Sequence, residues 1–336
     1  MVVIYSYSNK TYKLPLHPKL VMPFQDIKKI EKPQHYIDVA LRKAASRKGK
    51  KLKGPHFQNA KTKDLERINI IRDSLASRFK EITNNFPALD NLSEFYEQLL
   101  RITLDYNMLK KALASVNWAQ KKITELTRTY RGRLIKADNL TALTKEKKAF
   151  IGRISSVVKQ IGKNLEYLEK ARLVIREYPV IKQGLFTVCI SGFPNVGKST
   201  LLSKLSESKP EVKAYAFTTK RLNLGYADMN SQKIQFIDTP GTLARPDKMN
   251  NIERQAYLAI KYQADLIIYI FDLTEPYPLE DQKRLLERIM EFRKPAIIYL
   301  SKTDLLEQGT IKDFSTQQKV ITSINQLQEE ISRRIE

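Results

Sequence analysis

One run constrains the fold more than any other: LFTVCISG, then FPNVGKST, then LLSKL, over residues 185–205. The first stretch is short, apolar and β-branched, which predicts a buried strand. The last has the spacing of an apolar helix. Between them, Gly192-(four residues)-Gly197-Lys198-Ser199 matches the pattern of a phosphate-binding loop. Glycine lets backbone N–H groups turn inward around an anion, and the helix after it points its positive end at the same place. A chain that passes from buried strand to helix through such a turn is committed to a layered α/β arrangement.

The residues downstream repeat the theme. KIQFIDT, LIIYIFD and AIIYLSK read as strands, with helical segments between most of them. Alternation of this kind predicts a mainly parallel, doubly wound sheet. LNLGYADM joins KIQFIDT through a link at Asn230-Ser231-Gln232 that is too short for a crossover, so this pair is expected to be an antiparallel hairpin. The pattern starts at Gln183–Gly184, and a phosphate-loop domain is expected over 183–336.

The preceding half differs in composition. Residues 1–184 hold 38 Lys+Arg against 17 Asp+Glu, whereas residues 185–336 hold 21 against 19. An excess confined to one half predicts a basic surface that meets a polyanion, with nucleic acid ahead of an anionic membrane. Residues 1–62 read as a basic arm, broken by Pro15, Pro18, Pro23 and Pro33 and carrying RKAASRKGKKLK from Arg42 to Lys53. Residues 63–182 read as a helical bundle whose basic surface is expected to meet RNA, with helices at 64–84, 92–107 and 107–134. One long helix is expected to carry Ile154, Val158, Ile161, Leu165, Leu168 and Ile175 on a single stripe, closed by Pro179. Leu109, Leu113, Val116 and Trp118 are assigned to the bundle core. The single cysteine, Cys189, lies in a strand pattern and reads as a buried small residue in a reducing compartment. No apolar run is long enough to span a bilayer and no signal-peptide pattern opens the chain, so a cytoplasmic protein is expected.

Three further segments specify the nucleotide. Asp238-Thr239-Pro240-Gly241 ends a strand; the aspartate can hold the shell of a Mg²⁺ ion, and the glycine N–H can meet a γ-phosphate. Ser301-Lys302-Thr303-Asp304 ends another strand. A carboxylate at Asp304 accepts from the two adjacent N–H donors on one edge of guanine, which adenine lacks. Lys302 can lay its stem over the base. Tyr215-Ala216-Phe217-Thr218-Thr219 lies between the phosphate loop and the DTPG segment, where a threonine can complete Mg²⁺ coordination and make the loop a switch. The expected binding set for GTP or GDP is therefore Gly192, Phe193, Pro194, Asn195, Val196, Gly197, Lys198, Ser199, Thr200, Phe217, Thr218, Thr219, Asp238, Thr239, Pro240, Gly241, Ser301, Lys302 and Asp304. Lys198, Gly241 and one threonine of the Thr218-Thr219 pair carry the catalytic roles, and Ser199, Asp238 and the same threonine the metal.

GFPNVGKS and AFTTKRLNLG resemble the Obg-like branch of translation-factor-related GTPases. The chain as a whole is more similar to the nucleolar GTP-binding (Nog) family. The similarity runs through DTPGTLARPDKMNNIERQAYLAIKYQAD, IDVALRKA, FPALDNLSEFYEQLL and the stretch from WAQKKITELTRTY to VVKQIGKNLEYLEKAR. The resemblance implies a GTPase that binds precursors of the large ribosomal subunit through rRNA, here in a short archaeal-type form. It also favours Thr219 over Thr218 as the metal ligand. Three departures stand out. Serine at 301 replaces the family-type asparagine. The last base-side motif is unclear, with Ser315-Thr316 and Thr322-Ser323 both candidates. Thr242 stands where some GTPases carry a glutamine.

Slow intrinsic hydrolysis is expected, with Arg221 and Arg245 flanking the switches but neither placed as a finger. Asn195 resembles GTPases in which potassium stabilises charge, so K⁺ joins Mg²⁺ as a candidate ion. Two rival readings stay open: an RNA-binding module with negligible turnover, and a membrane-surface GTPase, for which the arm lacks an amphipathic stretch rich in Trp or Leu. A monomer without stable membrane association is expected.

Overall fold

The computed structural model describes residues 24–46, 55–182, 184–206, 211–214, 221–239, 251–274, 277–314 and 320–335. Among them, the helices before the first strand are α1 (Pro33–Ser46), α2 (His56–Asn85), α3 (Glu94–Thr103), α4 (Tyr106–Lys136), α5 (Leu140–Gln160) and α6 (Gly162–Arg176). The chain divides into two compact units. One takes residues 24–90 and 104–176; the other takes 91–103 and everything from 177 onward.

In the first unit α2 and α4 are the long central helices. Each buries one stripe at three- and four-residue spacing: Ile68, Ile71, Leu75 and Phe79 on α2; Leu109, Ala112, Val116, Ala119 and Ile123 on α4. The Asp105 carboxylate caps α4 by accepting from the Met108 N–H at 2.9 Å. Asn139 caps α5 in the same way from Ala142 at 2.8 Å.

Three expectations are corrected here. Residues 24–46 are part of the bundle and not an arm. Pro33, a breaker by residue type, stands at the first helical position, where its missing N–H costs nothing. Tyr36, Ile37, Ala40 and Ala44 then bury one face of α1. The segment before α1 is tied to α6: Ile30 N–H donates to the Glu169 carboxylate at 2.8 Å, which also accepts from Arg172 at 2.7 Å. Within the basic run, Arg42 to Ser46 form the last turns of α1, and 47–53 lie outside the described residues. Second, the single long helix is two helices. Ile161 leaves helical geometry at φ −87° and ψ 7°, and a Cβ on Gly162 would lie 3.0 Å from the Pro33 ring, so glycine lets α1 abut the break. Third, Trp118 is 41% exposed and Leu113 is half-buried, while Leu109 and Val116 are buried. Trp118 precedes Ala119 of the inward stripe by one residue, about 100° around the helix, which turns the indole out.

The second unit holds a sheet of β1 (Phe186–Gly192), β2 (Glu211–Ala214), β3 (Arg221–Met229), β4 (Gln232–Asp238), β5 (Leu266–Phe271), β6 (Ala296–Leu300) and β7 (Val320–Ile321). Its order is β2-β3-β4-β1-β5-β6-β7. β3 runs antiparallel to both neighbours, as the short hairpin link requires, and the other pairings are parallel. Asn230 and Ser231 make the hairpin with φ of 49° and 62°, the left-handed pair of a tight two-residue turn. The helices are α7 (Lys198–Leu205), α8 (Asn251–Gln263), α9 (Leu279–Met290), α10 (Gln308–Asp313) and α11 (Ile324–Ile335). Val188, Ile190, Phe236, Leu266, Ile268 and Ile270 are fully buried at the centre. Cys189 is buried on β1, and burial pushes its thiol pKa up, against any nucleophilic role. None of the described helices is long and apolar enough to cross a membrane.

This grouping differs from a division at residue 183. α3 packs on α8, and Tyr96 of α3 binds the strand-entry segment at both ends. Its hydroxyl donates to Pro179 C=O at 2.8 Å and accepts from Ile181 N–H at 3.0 Å. One residue further, Lys182 N–H donates to the Gln235 side chain of β4 at 2.9 Å. Tyr96→Phe should keep the ring packing but leave two buried backbone groups unpaired. We expect a stability loss of about 2–4 kcal/mol in urea unfolding; a loss below about 0.5 kcal/mol would show that this phenol does not hold α3.

Candidate functional site

β1 lies between two parallel neighbours, β4 and β5, so connections leave it in opposite directions across the sheet. A doubly wound sheet opens a crevice at the carboxyl edge of such a strand. The described segments expected to bind the nucleotide fall on that edge. Gly192 ends β1, Asp238 ends β4, Ser301 follows β6, and Thr322-Ser323 follow β7.

The phosphate loop joins β1 to α7. Gly192 has φ 149°, and a Cβ there would meet the Ile270 carbonyl at 2.8 Å. Gly197 has φ 93° at the helix start, and Asn195 between them also lies at positive φ, 63°. Positive φ at these three positions reverses the backbone, the turn by which loop N–H groups line an anion site, and a side chain at 192 would collide with β5. Val196 is buried beneath the loop. The Phe193 ring packs against Tyr277 with centroids 4.9 Å apart. Lys198 is 8% exposed, and its ammonium donates to the Phe193 carbonyl at 2.5 Å.

Ser199 and Asp238 meet although 39 positions separate them. The Ser199 hydroxyl donates to Asp238 Oδ2 at 2.6 Å, and Asn223 Nδ2 donates to the same oxygen at 2.9 Å. Burial raises the Asp238 pKa above the ordinary carboxylate value, against the lowering effect of Ser199, Asn223 and Lys198. Thr239 turns back into the sheet, its hydroxyl donating to Ile190 C=O at 2.8 Å, which makes it a brace for Asp238. Asn223 escaped the sequence reading; its one signal is its place in β3 opposite Asp238. Phe217, Thr218, Thr219, Pro240 and Gly241 lie outside the described residues, as do Thr242 and Arg245.

The second cluster surrounds Lys302. Its ammonium lies 2.7 Å from Asp272, a fully buried carboxylate at the end of β5. The other Asp272 oxygen accepts from the Thr274 N–H at 2.8 Å and hydroxyl at 2.7 Å. Gln282 of α9 bonds the Asp272 backbone in both directions, donating to its carbonyl at 2.8 Å and accepting from its N–H at 3.1 Å. Burial alone would raise this carboxylate's pKa, but Lys302 and Thr274 together hold it below its usual value. Asp272, Thr274 and Gln282 also escaped the sequence reading, since none belongs to a short motif. Ser301 spends its hydroxyl on Phe271 C=O at 3.1 Å, and its Cβ lies 4.0 Å from where a side chain on Gly197 would begin. Asp304 stands exposed in a short 3-10 helix, Thr303–Leu305. Ser323 accepts from Gln326 N–H at 3.2 Å at the start of α11; Ser315-Thr316 lie outside the described residues.

The donor set suits a hard cation beside a polyphosphate: one hydroxyl and one carboxylate in contact, next to the positive-φ loop and a lysine. In the absence of metal the Asp238 carboxylate is a liability. Its folded pKa lies above its unfolded one, so the stability of the neutral form is lost as pH rises through the folded value. Asp238→Asn keeps one oxygen for both donors. In EDTA at alkaline pH we expect the variant to melt higher than the parent, with the gap closing as pH falls toward the carboxylate range; a lower melting point would contradict this.

Residues 24–182 match the family model of the NOG1 N-terminal helical domain, and residues 187–302 match that of a 50S ribosome-binding GTPase. An uncharacterized protein of Methanocaldococcus jannaschii is 33% identical over 298 residues, 86% of this chain and 83% of that one. Nucleolar GTP-binding protein 1 of Drosophila melanogaster is 32% identical over 313 residues, 91% of this chain and 47% of that protein. The chain thus spans about half the length of that relative. The G domain of the T. maritima FeoB iron transporter overlaps 45% of this chain and 99% of its own at 24% identity and TM-score 0.39.

Proposed function

Because the chain belongs to the nucleolar GTP-binding protein family, with its helical domain followed by a GTPase domain, we propose that it is a GTP-hydrolysing switch acting on the large ribosomal subunit precursor through rRNA. The observation that carries the nucleotide half is the convergence of the 192–199 loop, Asp238 and Lys302–Asp304 on one sheet edge. In this reading the loop amides and Lys198 bind the β- and γ-phosphates. Ser199 and Asp238, with Thr219, hold a Mg²⁺ ion, which supplies charge neutralisation when bound. Gly241 orders the second switch. Asp304 reads the guanine edge while Lys302, steadied by Asp272, covers the ring. Thr322-Ser323, at the end of β7, is the base-side pair this edge supports. Asn195 is the residue toward which K⁺ would bind.

The basic half supports the RNA assignment. Residues 104–176 alone hold 17 Lys+Arg against 6 Asp+Glu. Slow intrinsic turnover, acceleration on the particle, a cytoplasmic site of action and a monomeric state complete the proposal. Single-turnover hydrolysis in sodium and in potassium, with and without purified large-subunit precursor, tests it. We expect a clear rise with precursor, and faster turnover in potassium. No response to precursor would favour a binding module that holds GTP without using it. The base assignment has its own check. Asp304→Asn should cut GTP affinity about 10²–10⁴-fold, since two charge-assisted hydrogen bonds are lost, and should admit xanthosine triphosphate, whose edge suits an amide. Unchanged GTP affinity would remove Asp304 from the site.

A further inference from the structure

The chain has one tryptophan, and the bundle does not bury it. Trp118 stands 41% exposed in the middle of α4, a helix of 31 residues capped by Asp105 and packed along α2, α5 and α6. An indole on so well-anchored a helix is held at a fixed place on the surface. Helical spacing sets its neighbours on the outer face. Lys111 lies about 20° from it around the axis and about 10 Å before it; Lys121 lies about 60° away and about 4.5 Å beyond. Both are exposed, and neither has a carboxylate partner among the described residues. The one acid of α4, Glu125, is engaged by Lys122 at 2.8 Å, so it leaves those two lysines uncompensated. Over its length α4 carries eight Lys+Arg against that single acid.

A flat aromatic face between unneutralised lysines complements a strand that presents flat bases between phosphates. A base inside a duplex is stacked on both faces and cannot offer one. A bilayer would need apolar neighbours beside the ring, but Ser115, Lys121, Lys122 and Glu125 flank it at helical spacing. We propose that Trp118 is a stacking platform for an unpaired RNA base, with Lys111 and Lys121 holding the adjacent phosphates. This rests on the reading that the basic half binds RNA.

The single tryptophan makes the test direct, because all indole emission comes from this site. The full chain is titrated with a short labelled adenosine-rich single strand and with a duplex of equal length. RNA anisotropy and Trp118 emission are followed together. The single strand should quench the emission and shield it from acrylamide; the duplex should do neither. Trp118→Ala should weaken single-strand binding by about 5–150-fold, the loss expected for one stacked base, with Trp118→Phe retaining most of the affinity. Lys111→Gln and Lys121→Gln should each reduce the salt slope by about 0.7. Thermal unfolding of Trp118→Ala should match the parent, since the side chain is outside the core. Binding that is unchanged in Trp118→Ala, or that leaves the emission untouched, would overturn the platform while leaving RNA binding elsewhere on the unit. Quenching by ribosomal proteins and not by RNA would overturn it in favour of protein docking. Failure to bind any RNA would remove both this inference and the RNA reading it rests on.

Discussion

The carboxyl end of β1 governs the GTPase unit. The strand is buried on both faces and paired in parallel on both edges, so its path is set by the core. Where it ends, the chain has seven positions from Gly192 in which to reverse and begin α7. Positive φ at Gly192, Asn195 and Gly197 makes that reversal, the backbone geometry in which successive N–H groups can line an anion site. The rest of the edge is organised around that turn. Asp238 reaches Ser199 because β4 is hydrogen-bonded to β1, with Ile190 opposite Asp238 in register. Ser301 comes close to Gly197 because β6 lies one strand beyond β5.

Two carboxylates on this edge are treated differently by the fold. Asp272 is ion-paired with Lys302 and hydrogen-bonded by Thr274, which together hold its pKa below the usual value. Asp238 receives only neutral donors in direct contact and is pushed toward its neutral form. The difference matches the roles proposed for them. A positioning group is best satisfied by protein alone. A metal-shell group should be under-neutralised until its ion arrives.

Much of this was legible in the chain. The strand–loop–helix, the hairpin and the base-side segment each depend on local rules: β-branched runs, glycine at turns, and a link too short for a crossover. The boundaries of the bundle were less legible. Pro33 suits a chain break and a helix start equally, and only the burial of Tyr36, Ile37 and Ala40 selects the helix. Gly162 is tolerated inside a helix unless something abuts it. Trp118 shows the same limit. A tryptophan among Leu109, Leu113 and Val116 looks like core, but the inward stripe passes through Ala119, and only the packing partners select the stripe.

What the sequence determined by itself was pattern carried by short segments: a strand–glycine loop–helix turn, a mainly parallel sheet with one hairpin, and a basic half. What only the tertiary structure decided were pairings between distant positions. Asn223 with Asp238, Asp272 with Lys302, and Tyr96 with the 179–181 segment each join residues with no fixed spacing. Sheet order and helix packing bring them together. No periodicity encodes such contacts, because their geometry exists only after non-local strands have paired and buried their faces.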